Sequence, residues 1–338
     1  MSLNTQKLWS AVAIAISLGF LGCSANTQIR NSPGGSNQSN NSLPKVVATH
    51  SVLCNLTQAI AQNTVDLTCL IKPGEDAHVY KPTPQDRKGI EKAQLILYGG
   101  YNFEPDLLKI IKASNQTATK IAVHEMAVPK PITGEEHNHH GAEEKSESAE
   151  SVPDPHIWHN VQNGTRMVEI IRDQLAKASP TNSNLYTRNA QQLTSQLQQV
   201  DTWIKEQIST IPPKQRKLVT THDALNYYAQ AYGLTIEGAL QGLSTDAKPS
   251  AARVKELVIE IKQTGVPTIF AEVTGNDKLI GTVAREAGVK VADQALFVDS
   301  LGKPGSKGET YIGILTTNTC TVTEGLGGRC KPSPVNTR

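Results

Sequence analysis

Short apolar runs rich in β-branched residues recur along this chain, each followed by a longer stretch whose apolar residues return every three or four positions. Residues 45–49, 67–71, 95–98 and 120–123 form one such series, and 217–220, 234–236, 268–271 and 290–292 a second. Apolar runs of this length suit strands buried on both faces, and strands alternating with helices build a parallel α/β sheet. The plan occurs twice. An α/β fold of two similar lobes is therefore predicted, each lobe a mostly parallel sheet flanked by helices.

Two of the helical stretches can be followed residue by residue. Val254, Leu257, Val258 and Ile261 share one helical face, with Pro249 near its start and Gly265 just past its end, so this helix is expected to cover one face of the second sheet. Between the two series, Tyr186, Ala190, Leu193, Leu197, Val200, Ile204, Ile208 and Ile211 keep a three-and-four spacing until Pro212 and Pro213 stop it. At 1.5 Å per residue that helix is about 40 Å long, enough to run along both lobes. A coiled coil would need a matching second helix, which the sequence does not offer, so the segment reads as an intramolecular spine.

Length agrees with two lobes, because 338 residues exceed what one core usually organises. Lys7 and the apolar run 8–21, closing on Gly22 and Cys23, have the layout of a secretory signal peptide followed by an acylated Cys, although Phe20 stands where a lipoprotein signal usually has Leu. The expected organisation is a signal peptide over 1–22, a lipid-anchor Cys23 with a flexible Ser-, Asn- and Gly-rich tether over 23–44, a first lobe over 45–180, a linking helix over 181–213 and a second lobe with a tail over 214–338. The periplasm or the outer cell surface is the implied location. A net charge of +2, with both signs mixed along the chain, excludes the electrostatic footprint of a nucleic-acid binder.

Export to an oxidising compartment leaves Cys54, Cys69, Cys320 and Cys330 as an even set for two disulfides. Pairing 54 with 69 and 320 with 330 closes the shortest loops, but the sequence leaves the connectivity open. Residues 134–150 hold six Glu and three His (His137, His139 and His140) with hardly an apolar residue, which predicts a mobile loop and a candidate auxiliary metal sink.

Four further residues sit where βα units place ligands, at strand ends. His78 follows 67–71 in Lys72-Pro73-Gly74-Glu75-Asp76-Ala77-His78-Val79-Tyr80-Lys81-Pro82, His156 lies in Asp154-Pro155-His156-Ile157-Trp158, His222 in Thr221-His222-Asp223-Ala224, and Asp299 in Asp299-Ser300-Leu301-Gly302. Singly each is an ordinary loop or cap residue. Together, in this order, the motifs resemble those of the metal-binding receptors of bacterial zinc and manganese ABC importers, over about residues 45–318.

That resemblance implies two α/β lobes joined by one long rigid helix, with a metal ion in the cleft held by His78 and His156 from the first lobe and His222 and Asp299 from the second. It implies delivery to a membrane permease, by a chain expected to act as a monomer. Three neutral imidazoles and a carboxylate satisfy a tetrahedral Zn²⁺, and the manganese-selective members tend to carry Glu where His222 stands, so zinc is expected as cargo with Mn²⁺ as the alternative. Glu272, at the end of 268–271, is a candidate to orient a ligand imidazole. Departures from the family pattern are Lys81, where relatives often have Glu, His159 as a candidate spare ligand, and a segment 319–338 that shows no closing helix. A secreted zinc hydrolase and an adhesin or metal-storage lipoprotein stand as the other classes. The hydrolase lacks a His-Glu-x-x-His helix, and storage would require several ions per chain.

Overall fold

The computed structural model describes residues 42–114, 117–135 and 151–336. Cys23 and the His137, His139 and His140 cluster lie outside these residues. The first lobe is built from β1 (Lys45–Ala48), α1 (Ser51–Ala61), β2 (Asp66–Cys69), α2 (Pro84–Lys92), β3 (Leu95–Tyr98), α3 (Pro105–Ala113), β4 (Thr119–Ala122) and the short α4 (Val123–Ala127). Its sheet is wholly parallel with the order β2-β1-β3-β4. That order corrects one expectation: only β1 and β3 are well buried, whereas β2 and β4 are the sheet's edges and stay half exposed. A small antiparallel pair follows, β5 (Thr133–Glu135) with β6 (Ser151–Pro153), so the acidic insertion expected to be loop from residue 134 starts instead inside a strand.

After α5 (Val161–Ala178) comes α6 (Ser183–Ser209), the 27-residue spine. Its buried face is Tyr186, Ala190, Leu197, Val200, Trp203, Ile204, Gln207 and Ile208. α6 packs on α1 and α5 of the first lobe. The second lobe holds β7 (Lys217–His222), α7 (Asn226–Tyr232), β8 (Thr235–Gln241), α8 (Ala251–Thr264), β9 (Thr268–Ile269), α9 (Asp277–Ala287), β10 (Lys290–Val291) and α10 (Tyr311–Gly325). β7 pairs in parallel with β8, a parallel bridge from Thr220 to Phe270 links it to the β9 segment, and β9 pairs in parallel with β10. Ser250 caps α8 by accepting the Arg253 amide at 3.1 Å, and Gly265 ends it in the left-handed region at φ 67°, which glycine adopts without steric cost. Leu257, Val258 and Ile261 are its buried face, and α8 packs on β8.

Helix α10 is a closing helix that the sequence beyond residue 318 does not show. Its sequence, rich in Thr with Asn and Gly, has poor intrinsic helix propensity, and Thr hydroxyls compete for the backbone. Here Thr316, Thr319 and Thr321 donate to the carbonyls of Ile312, Leu315 and Thr317, one turn back, and so remain compatible with the helix. Burial supplies the rest: Ile314, Leu315 and Val322 are fully enclosed, and α10 packs on α6. Disulfides join Cys54 to Cys69 and Cys320 to Cys330, with Cα separations of 5.7 and 5.1 Å. The tail after α10 is pinned to α6, since Trp203 donates its indole N–H to the Lys331 carbonyl at 3.2 Å and the Lys331 amide donates to Gln207 at 2.9 Å.

Candidate metal centre

Each of the four predicted residues is fixed by its own element. His78 stands in the loop after β2, where Gly74 turns at φ 86° and Asp76 Oδ1 accepts the His78 amide at 2.9 Å. His156 precedes the turn 157–159 that leads into α5, and Asp154 Oδ1 accepts both its amide at 2.9 Å and its Nδ1–H at 2.8 Å. His222 ends β7, opposite Gln241 of β8, and Glu272 accepts its amide at 3.0 Å through Oε1 and its Nδ1–H at 2.5 Å through Oε2. Asp299 follows Leu296 and Val298 of the core, with Thr274 donating to its Oδ2 at 3.3 Å.

These side chains converge. Nε2 of His156 lies 3.2 Å from Nε2 of His78, 3.4 Å from Nε2 of His222 and 3.3 Å from Oδ1 of Asp299. Asp299 Oδ1 lies 3.2 Å from His222 Nε2 and 3.7 Å from His78 Nε2, and all four donor atoms fall within 4.8 Å of one another. Donors at the corners of a tetrahedron around an ion with bonds of about 2.0–2.1 Å stand about 3.3 Å apart. All four residues are buried, His78 least so at 5% exposure. Although ringed by imidazoles, Asp299 Oδ1 makes no hydrogen bond among the described residues. An unpaired buried carboxylate oxygen facing three imidazole nitrogens is what a bound cation requires.

The electrostatics pull the same way. Burial opposes charge on His156, but the carboxylates of Asp154 and Asp299 outweigh it and lift the ring to about 8. Burial opposes charge on His222 as well, and Asp299 with Glu272 holds it well above its ordinary value. Burial would raise Asp299, yet His222, His156 and His78 keep it well below the usual carboxylate range. In the metal-free site His156 and His222 therefore favour holding protons that an incoming cation displaces.

The chain's matches to known proteins follow this geometry. The model of the family described as zinc-uptake complex component A, periplasmic, matches residues 46–325. This chain belongs to that family. Its members are extracytoplasmic metal-binding receptors of ABC importers rather than enzymes, and the match runs past residue 318 to the end of α10. The chain is 28% identical over 327 residues to the manganese ABC transporter substrate-binding lipoprotein PsaA of Streptococcus pneumoniae, covering 95% of this chain and 99% of that protein. Its fold is similar to that of the periplasmic zinc binding protein TroA from Treponema pallidum, with a TM-score of 0.75 and 29% identity over 84% of this chain and 99% of the other. It is also similar to a manganese-bound periplasmic metal binding protein from Candidatus Liberibacter asiaticus, with a TM-score of 0.71 and 27% identity over 83% of this chain and 99% of that one.

Of the other residues singled out in the sequence, Glu272 does grip the His222 ring. His159 does not join the cluster: its Nε2 bonds the Val298 carbonyl at 3.0 Å, and burial depresses its ring to about 3. Lys81 points away and pairs with Asp106 at 2.6 Å on the surface. Asp154 carries a role the sequence reading did not assign. The signal was present, because Asp76-Ala77-His78 and Asp154-Pro155-His156 repeat one Asp-x-His spacing, and in both the Asp side chain accepts the His amide.

Proposed function

We propose that this chain captures one divalent transition-metal ion at His78, His156, His222 and Asp299 and delivers it to the permease of an ABC importer, with zinc as the cargo. The observation that carries the reading is the set of donor separations, 3.2–3.7 Å for every pair except His78 with His222 and all within 4.8 Å, which suits four-coordinate zinc with short bonds. Three nitrogen donors also favour zinc over manganese, which prefers oxygen. Two donors come from each lobe, so drawing the lobes apart dismantles the site and releases the ion. Acylation of Cys23 would hold the receptor at the membrane, in keeping with the word lipoprotein in the name of the PsaA relative.

A manganese cargo is the second reading, favoured by that relative's name and by the manganese-bound structure of similar fold. The deciding experiment is elemental analysis of the full chain purified from its native compartment, beside the His156→Ala variant. Zinc at one equivalent in the wild type and none in the variant is expected. Manganese at one equivalent moves the assignment to the second reading, and metal retained by His156→Ala overturns the site.

A further inference from the structure

The four donors are not held alike. The His156 ring is gripped at Nδ1 by Asp154 and the His222 ring by Glu272, whereas among the described residues no carboxylate holds the Nδ1 face of His78. His78 is also the least buried of the four. Its position depends on its loop, which is fastened on one side where the Gly74 amide donates to Leu301 O and Ser300 Oγ, each at 2.9 Å, beside Asp299.

The other fastening comes from the segment after β8. Asp76 divides its carboxylate: Oδ1 accepts the His78 amide at 2.9 Å, and Oδ2 accepts the hydroxyl of Thr245 at 2.6 Å. Thr245 is itself anchored, because Gln241 Nε2 donates to its carbonyl at 3.0 Å and to that of Ala247 at 2.8 Å. Gln241 is the ladder partner of His222. A short chain of contacts thus runs from Gln241, the strand neighbour of His222, through Thr245 and Asp76 to His78, from one lobe to the other. Leu243 rests on the β5–β6 pair as well: a Cβ placed on Gly134 would lie 2.9 Å from its Cδ1, so only glycine admits this contact unchanged.

We propose that Thr245 is a positioning residue for ion retention: through Asp76 it ties the His78 loop to the strand end carrying His222, so that releasing this strap frees His78 first. The inference rests on the four-donor reading above. A hydroxyl donating to a carboxylate is a strong, short bond, and its loss acts on the step in which His78 leaves the ion.

The test uses the full chain loaded with one zinc ion and follows release into excess chelator by stopped flow. Thr245→Val is expected to bind one zinc, to melt with the wild type and to give the same Co²⁺ visible absorption bands, while releasing zinc about tenfold faster, equivalent to about 1.4 kcal/mol. Thr245→Ser, which keeps the hydroxyl, is expected to release within about twofold of the wild type. Release from Thr245→Val at the wild-type rate overturns the strap, as does release from Thr245→Ser as fast as from Thr245→Val. Altered Co²⁺ bands in Thr245→Val also overturn it, by showing a change of coordination instead of retention. His156→Ala separates the two claims: if it still binds zinc, the site reading itself has failed, and if it does not, a wild-type rate in Thr245→Val counts against the strap alone.

Discussion

Two groups of buried histidines stand back to back, separated by Phe103 and Trp158. On one side are His78, His156 and His222 with Asp299. On the other, Nε2 of His50 faces Nε2 of His124 at 3.2 Å, and both rings are as enclosed as those of the metal centre. Phe103 meets His50 edge-on at 5.1 Å between ring centres and His78 at 5.0 Å, so one aromatic ring divides the groups. Their electrostatics are opposite. Burial alone depresses His50 to about 3, and burial with neighbouring imidazoles pushes His124 well below its usual value. The buried Glu104 accepts the Gly99 amide and the Thr49 hydroxyl through Oε1, each at 2.7 Å, its Oε2 bonds neither imidazole, and burial lifts it to about 7. Burying histidines therefore does not make a cation site. A carboxylate behind the ring, and another at the centre, does.

The comparison breaks most visibly when a central donor is removed. His156→Ala or Asp299→Ala should weaken zinc binding by more than about a hundredfold, beyond the range of an outer-shell change, as read by competition with a chelator of known affinity. Glu272→Gln keeps every donor but removes the carboxylate that orients His222. It should retain one ion per chain and lose about tenfold to a hundredfold in affinity.

Acidity sharpens the contrast further. With His156 lifted to about 8, protons compete with the ion for the metal-free site below that pH. Affinity should rise about tenfold per pH unit from 6 toward 8 for each proton displaced, which calorimetric titration at several pH values will show. The sign is opposite for the metal-free fold: the stability that His156 gains from its carboxylates is full below its unfolded value and fades as pH rises through about 8. The window lies higher than unperturbed imidazoles would give, because Asp154 and Asp299 stand against the ring.

The smallest effect on binding belongs to the second pair. His124→Leu should leave zinc affinity within about twofold but cost about 1–3 kcal/mol of stability, since His50 Nε2 would lose its buried partner. Thermal unfolding of the metal-free protein measures it.

Much of this was readable in advance, for identifiable reasons. All four strands of the first sheet were legible as short β-branched runs, but their place in the sheet was not: β1 and β3 lie inside it, and β2 and β4 are half-exposed edges. The spine was legible because its stripe persists over seven turns. Helix α10 was not, because its hydroxyls satisfy themselves only once the helix exists, and what makes it exist is burial against α6. His78, His156, His222 and Asp299 stood out by strand-end position. His50 also stands just past the end of β1, and nothing local separates it from them.

The kinds of donor present, the two-fold recurrence of the α/β plan and the long connecting helix were determined by the order of residues alone, since periodicity and side-chain chemistry are local properties. Which imidazoles meet at a common point, which carboxylate stands behind each, and which histidines stay neutral were decided only by the tertiary structure. Those outcomes depend on distances between segments far apart in the chain, and on a surrounding medium that exists only once the chain has closed around them.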